Sequence, residues 1–140
     1  MRRQVIVDTG VLVAAIDRRD AFHEWAKTEL ATIEKPLLTC EAAITETYFL
    51  LQNVYGGREA IVAWLETGLV RIAFSLGDEL QQVGQLLKQY ESVPMSLADG
   101  CLVRMAEQFS TSSILTLDSD FRIYRKERNQ PIPVIMPVER

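Results

Sequence analysis

The sequence is poor in the residues that carry several common kinds of site chemistry. It contains one histidine, His23, and two cysteines, Cys40 and Cys101, which stand far apart and form no CxxC pair. A single histidine is more typical of a packed or surface side chain than of a catalytic triad. The cysteine spacing excludes a zinc ribbon and a thioredoxin-like site, and free thiols predict a reducing, cytoplasmic compartment.

Several longer signals are also missing. The chain has no GxxxxGK[ST] loop and no GxGxxG motif, so nothing indicates a P-loop enzyme or a dinucleotide-binding protein. No apolar run approaches the ~18 residues that a membrane span needs. Asp8 and Asp17 interrupt the apolar N-terminal stretch, which argues against a signal peptide. We therefore expect no membrane association.

The composition is that of a globular chain, and the 140 residues predict a single domain over 1–140. Hydrophobic residues make up 48% of the sequence and charged residues 24%, which excludes intrinsic disorder. The 15 Lys and Arg against 19 Asp and Glu give a net charge of −4. A chain with this charge does not bind nucleic acid through bulk positive charge alone.

Short apolar runs alternate with stretches of helical periodicity. They predict strands within 5–7, 37–40, 70–74, 113–117 and 134–136, and helices within 10–16, 20–33, 41–55, 58–66, 78–90 and 96–109. The third of these helices carries Leu50 and Tyr55 on its apolar side. The alternation predicts an α/β fold, a three-layer α/β/α sandwich with a central parallel sheet. Ligands of such sheets bind at the carboxyl ends of the strands.

Four carboxylates occupy positions that call for an explanation. Asp8 and Asp118 directly follow predicted strands, so both belong at the carboxyl edge of the sheet. Glu46 and Asp99 lie at the margins of the apolar sides of their helices, where a charge is costly without compensation. Simpler explanations stand beside these. Strand-end aspartates suit turns or helix caps, an edge glutamate suits solvent, and Asp99 fits a capping box with Ser96.

A cluster of these acids would repel itself, which favours a bound cation. Close carboxylates raise one another's pKa values. Carboxylate oxygens suit Mg²⁺ or Mn²⁺, and Mg²⁺ commonly binds a substrate phosphate as well. With histidine-based and P-loop chemistry set aside, the remaining hypothesis is hydrolysis of a phosphate ester by water activated at a carboxylate-held metal.

Taken in order, these acids and their neighbours resemble the PIN-domain family of metal-dependent ribonucleases, and most of all the VapC-type toxins of toxin–antitoxin pairs. The resemblance covers essentially the whole chain and is carried by segments 5–9, 22–26, 45–51, 96–100 and 114–121. It implies a PIN-like fold, an endoribonuclease that hydrolyses RNA phosphodiesters, and a Mg²⁺ or Mn²⁺ cofactor. It also implies a homodimer and an antitoxin protein as partner.

The same resemblance implies roles for individual acids. Asp8 and Asp99 match the primary metal ligands of the family. Glu46 matches an acid that orients the site or binds a second metal. Asp118 matches the fourth, more variable acid, and Asp120 in the same loop competes for that place.

Two hydroxyl residues match supporting positions of the family. Thr9 follows the first acid, and Thr116 resembles the hydroxyl residue near the site. Each has an ordinary structural role as its alternative.

A basic segment follows the last acids. Arg122, Arg125 and Arg128 lie in it, together with Tyr124. We expect the arginines to guide RNA phosphates to the site and Tyr124 to stack on a base. A solvated basic helix and an antitoxin contact are the alternatives.

Two other functions compete with this hypothesis. A stand-alone or inactive PIN domain, acting in RNA processing or as an interaction module, would have the same fold, but intact Asp8, Glu46 and Asp99 argue against lost chemistry. A phospho-receiver domain also has strand-end aspartates, yet it expects a lysine after the last strand, where this chain reads VIMPV.

Overall fold

The computed structural model describes residues 4–127 and 129–138. Its strands are β1 Val5–Val7, β2 Leu37–Thr39, β3 Val70–Ile72, β4 Ser113–Leu115, β5 Arg125–Lys126, β6 Gln130–Pro131 and β7 Val134–Ile135. Its helices are α1 Thr9–Ile16, α2 His23–Ala31, α3 Glu41–Leu50, α4 Gly57–Glu66, α5 Leu80–Gln89 and α6 Leu97–Gln108, with a short 3₁₀ helix at Ser119–Arg122. Among the described residues, no helix has the length and apolar character needed to cross a membrane.

The central sheet is parallel and has the strand order β3-β2-β1-β4-β7. In its middle strand, Ile6 lies opposite Leu38 of β2 and Ile114 of β4. The chain builds outward from β1 through β2 to β3, then returns to the other side of β1 for β4 and β7. This reversal creates a switch point between β1 and β4, where α/β sheets open a crevice at the carboxyl ends of their strands.

Alternate strand residues face opposite layers of helices, as the two-residue period of a strand requires. Ile6, Leu38 and Ile114 belong to a buried cluster that includes side chains of α5 and α6. Val7 and Leu115 belong to a second cluster with side chains of α1, α2 and α4. The predicted three-layer α/β/α sandwich with a central parallel sheet is confirmed.

The helix predicted over 41–55 is shorter than expected. α3 ends at Leu50, and the chain then turns back toward α4 through Gly56, whose φ is 71°. Leu51 is fully buried in the second cluster, whereas Leu50 is 52% exposed and Tyr55 is 105% exposed. The prediction that Leu50 and Tyr55 lie on a buried side is therefore wrong. A continuous helix would not let the chain reverse while Leu51 stays in the core.

The basic segment is not a helix beyond its first turn. The 3₁₀ helix is followed by β5 and β6, which form an antiparallel pair. Phe121 and Tyr124 are fully buried in the first cluster, so the segment is held against the core. Lys126 is also buried, and its Nζ donates to the Ser110 carbonyl at 3.2 Å. The alternative of a solvated basic helix is wrong, and Arg128 lies outside the described residues.

Leu51→Ala should lower the free energy of unfolding by about 2–5 kcal/mol, because it removes a fully buried side chain. Leu50→Ala, one residue earlier, should change it by less than about 0.5 kcal/mol, because that side chain lies at the surface. Urea unfolding of the two variants beside the wild type measures both effects. Equal losses would contradict the burial of Leu51 and the exposure of Leu50.

Candidate functional site

Asp8 directly follows β1 and is the N-cap of α1. Its Oδ1 accepts a hydrogen bond from the Thr9 N–H at 2.7 Å, and its Oδ2 accepts one from Thr116 Oγ1 at 2.8 Å. Asp8 is only 8% exposed, so it is a buried acid held at both oxygens. Its capping role is real, and it does not exclude metal binding, because each carboxylate oxygen keeps a second lone pair.

Thr116 connects the ends of the two central strands. It follows β4 and is fully buried. Its hydroxyl donates to Asp8 and accepts the Asp118 N–H at 3.0 Å. Asp118 in turn caps the 3₁₀ helix, because its Oδ1 accepts the Asp120 N–H at 2.9 Å. A chain of hydrogen bonds therefore fixes the first acid and the loop that carries two more.

Asp99 lies in the first turn of α6 in the predicted capping box. Its N–H donates to Ser96 Oγ at 3.0 Å, and its Oδ2 accepts the Ser96 N–H at 3.3 Å. The same oxygen accepts a hydrogen bond from the Tyr124 hydroxyl at 3.0 Å. Asp99 is therefore a helix cap, as the simpler explanation from the sequence predicted. It is also half-buried, beside the fully buried phenol of Tyr124.

Glu46 and Thr9 join α3 to the start of α1. Thr9 Oγ1 is 3.2 Å from Glu46 Oε1 and 3.2 Å from the Ala43 carbonyl oxygen, so its single proton is shared between two acceptors. Thr9 is buried, whereas Glu46 is exposed on its helix. Glu46 is exposed, as expected of a glutamate at the solvent edge of its helix. The Thr9 hydroxyl nevertheless orients its carboxylate.

One cleft at the carboxyl edge of the sheet brings these acids together. Its volume is about 560 Å³. Within the described part of the chain, the side chains around it include no arginine or lysine. The cleft is lined by Asp8, Thr9, Gly10, Glu46, Pro94, Ser96, Asp99, Leu117, Asp118 and Asp120. All five acids singled out in the sequence line this cleft, and Arg122 and Arg125 do not.

Burial and the charges of neighbouring acids raise the pKa values of Asp8 and Asp99 in the cleft. Burial raises the pKa of Asp8 from 3.8 to about 6, while the hydrogen bonds from Thr116 and Thr9 act in the opposite direction. The charges of Asp99 and Asp118 push the pKa of Asp8 higher. Burial also raises the pKa of Asp99, and the charge of Asp118 adds to that rise. A cation in the cleft would relieve this repulsion.

The donor set fits a hard divalent cation, because carboxylate oxygens are the ligands that Mg²⁺ and Mn²⁺ prefer. Over residues 4–127 and 129–138, however, no three acidic, histidine or cysteine side chains form a ready-made metal-holding group. The acids share a cleft while each is held by its own cap or hydroxyl partner. Mg²⁺ suits such an arrangement, since it keeps several waters and needs only one or two protein carboxylates.

The basic segment behaves differently from the prediction. Tyr124 is fully buried, so it cannot stack on an RNA base, and that prediction is wrong. The Arg125 Nη1 donates to the backbone carbonyls of Arg122, Ile123 and Tyr124, at 2.7, 3.2 and 3.1 Å. Arg125 therefore stabilises its own loop.

Sequence reasoning missed the contact between Tyr124 and Asp99. The signal that could have found it is the spacing of Phe121 and Tyr124, three residues apart, which is typical of a buried face rather than of a stacking platform. His23 behaves as expected of a packed histidine, with its Nδ1 2.8 Å from the Ala14 carbonyl oxygen.

This combination of a parallel sheet, a switch-point cleft and strand-end acids corresponds to a known family. The PIN domain family matches residues 5–127. The chain therefore belongs to the PIN domain family, and the family predicted from the sequence is confirmed.

Two individual proteins show how the chain relates to that family. It is 24% identical over 116 residues to Ribonuclease VapC26 of Mycobacterium tuberculosis (strain ATCC 25618 / H37Rv), covering 81% of this chain and 86% of that protein. Its fold is similar to the crystal structure of Mycobacterium tuberculosis VapC20, described as a sarcin-ricin loop cleaving toxin. The TM-score is 0.76 at 23% identity, over 91% of this chain and 100% of that one. The predicted resemblance to VapC-type proteins is confirmed.

The raised pKa of Asp8 predicts a pH dependence of stability in metal-free protein. Between about pH 4 and pH 6 the folded state keeps a proton that the unfolded state has released, so stability is lost as the pH rises through this window. The loss amounts to about 1.4 kcal/mol for each unit of pKa difference. Asp8→Asn should lack this loss, because asparagine does not titrate.

Urea unfolding in chelator at several pH values measures the difference between wild type and Asp8→Asn. Asp78→Asn is the matched control, since Asp78 is exposed and does not line the cleft. The free energy of unfolding of the wild type minus that of Asp8→Asn should fall as the pH rises. A difference that stays constant or grows from about pH 4 to about pH 7 would contradict the raised pKa of Asp8.

Proposed function

We propose that this chain is a metal-dependent endoribonuclease of the VapC toxin kind, which hydrolyses RNA phosphodiesters. The observation that carries the proposal is one cleft, lined by Asp8, Glu46, Asp99 and Asp118, at the switch point of a PIN-family sheet. The name of the relative VapC26, a ribonuclease, supports the same activity.

Asp8 and Asp99 are the proposed primary ligands of Mg²⁺ or Mn²⁺. Both are at least half-buried, and burial raises the pKa of each, so both gain most from a neighbouring positive charge. Glu46 is proposed as the orienting acid or the ligand of a second metal. Asp118 is favoured over Asp120 as the fourth acid, because its charge acts on both Asp8 and Asp99.

Two hydroxyls are proposed as supporting residues. Thr116 holds Asp8, and Thr9 holds Glu46, by the hydrogen bonds described above. When bound, a divalent cation supplies charge that stabilises a phosphodiester under attack and lowers the pKa of a water nucleophile. The contribution of the chain itself is to hold the carboxylates in place and to provide an open cleft for the RNA backbone.

Arg122, Arg125 and Arg128 are proposed to help a net-acidic protein approach RNA. Arg122 is exposed at the end of the 3₁₀ helix that begins after Asp118, next in the chain to the cleft loop. Local positive charge of this kind guides a polyanion without a basic protein overall. The guanidinium of Arg125 is engaged by three backbone carbonyls, which limits its share of this role.

An antitoxin partner, a homodimer and a cytoplasmic location complete the proposal, with residues 1–140 as one domain. The VapC names of the relatives support the antitoxin. An apolar patch on α3 supports a protein partner, because Tyr48, Phe49 and Leu50 are 43%, 60% and 52% exposed. Exposed apolar patches commonly mark interaction surfaces.

A stand-alone or inactive PIN domain is the second candidate. The observation that favours it is that the acids already have structural partners and no three of them, within the described residues, form a close metal-holding group. A protein without catalytic activity could keep all these capping hydrogen bonds. The cleavage assay separates the two candidates.

Purified protein with saturating Mg²⁺ or Mn²⁺ should cleave total cellular RNA, and EDTA should abolish the cleavage. Asp99→Asn should keep the fold and lower turnover by about 100-fold or more, because the carboxylate charge is lost. Asp78→Asn, an exposed control of the same chemistry, should cleave as the wild type does. Cleavage that persists in EDTA, or full turnover in Asp99→Asn, would refute the metal site.

Expression of the chain alone should slow bacterial growth, and Asp8→Asn should restore it, because the toxin activity depends on the same acids. Induced growth curves for wild type, Asp8→Asn and Asp78→Asn, at matched protein levels, measure the effect. Normal growth of cells that contain wild-type protein with RNase activity would contradict the toxin role. It would favour the stand-alone nuclease.

A further inference from the structure

We propose that Tyr124 is a positioning residue for Asp99, holding one carboxylate oxygen so that the other serves the metal. This inference rests on the proposed function of the cleft. It adds a residue from the segment after the acidic loop to the group that determines the geometry of the site.

The hydrogen bonds of Asp99 are uneven between its two oxygens. Oδ2 accepts from the Tyr124 hydroxyl at 3.0 Å and from the Ser96 N–H at 3.3 Å. Both contacts fall on the same oxygen, and the Ser96 side chain interacts with the carboxylate as well. Two donors from different directions fix the plane of the carboxylate. Because these two donors occupy both lone pairs of Oδ2, a cation would bind at Oδ1.

Tyr124 is rigid enough to act as such a clamp. Its ring is fully buried and makes edge-to-face contacts with Phe121, at 5.3 Å and 88°, and with Tyr90, at 5.1 Å and 67°. Aromatic pairs in this geometry are favourable beyond the area that they bury. The Tyr90 hydroxyl is bonded elsewhere, because it accepts the Arg125 N–H at 2.9 Å, so the part of Tyr90 that supports Tyr124 is its ring.

Tyr124 also connects Asp99 to the loop that carries the other acids. Its backbone N–H donates to the Asp120 carbonyl at 3.1 Å, at the end of the 3₁₀ helix that Asp118 caps. The phenol of Tyr124 therefore binds Asp99 on one side of the cleft, and its backbone binds the Asp120 loop on another. A purely structural tyrosine would need only some acceptor for its hydroxyl. Here that acceptor is an acid of the site.

The test compares Tyr124→Phe with Tyr90→Phe. Each change removes one hydroxyl from a buried tyrosine of the same aromatic cluster and keeps the ring, but only Tyr124 touches Asp99. Mn²⁺ binding is measured directly, by the electron paramagnetic resonance signal of free Mn²⁺. Tyr124→Phe should weaken binding by about 10-fold, the lower end of the effect of losing a partner of a metal ligand. Tyr90→Phe should bind as the wild type does.

Thermal unfolding of both variants controls for loss of structure. Replacement of Tyr124 by 4-aminophenylalanine keeps a donor at the same place and should restore Mn²⁺ binding, which a loss of packing would not explain.

The outcomes separate this inference from the proposed function. Unchanged Mn²⁺ binding in Tyr124→Phe, with normal binding by the wild type, would overturn the role of Tyr124 alone. Equal weakening in both variants would also overturn it, since it would reveal a general loosening of the aromatic cluster. A wild-type protein that binds no Mn²⁺ would overturn the metal site and this inference together.

Discussion

The pairing of β1 with β4 is the constraint on which the cleft depends. Because the two strands are parallel neighbours, Asp8 at the end of one meets Thr116 at the end of the other at 2.8 Å. The same hydroxyl receives the Asp118 N–H, so a single threonine fixes one acid and the start of the loop that holds the next. Separation of these strands would disperse the acids, however well the surrounding helices formed.

Helix capping and acid placement are the same interactions in this protein. Asp8 caps α1, Asp99 completes the capping box of α6, and Asp118 caps the 3₁₀ helix. The partial positive charge at a helix start favours a carboxylate and offsets part of the repulsion among the three. The same property favours phosphate groups. Folding stability and site geometry are therefore coupled, and a cap and a ligand are not competing descriptions of one aspartate.

Short-range patterns predicted those features that depend on near neighbours. The two-residue period of the strands, the helical periodicity and the capping box of Ser96 and Asp99 all involve residues close in the chain. The end of α3 and the shape of the basic segment could not be predicted in this way. They depend on whether Leu51, Phe121 and Tyr124 find a place in the core, which is decided by elements distant in sequence.

The order of residue types was sufficient for the fold class and the family, and it singled out acids that line one cleft, because strand-end and helix-edge carboxylates are visible in a pattern. Only the tertiary structure decided which oxygen of each acid is already bound and by what. The partners of Asp8 and Asp99 include Thr116, 108 positions from the first, and Tyr124, 25 positions from the second. Such contacts form only when the strand order brings the carboxyl ends of the strands together. No local periodicity of the sequence encodes them.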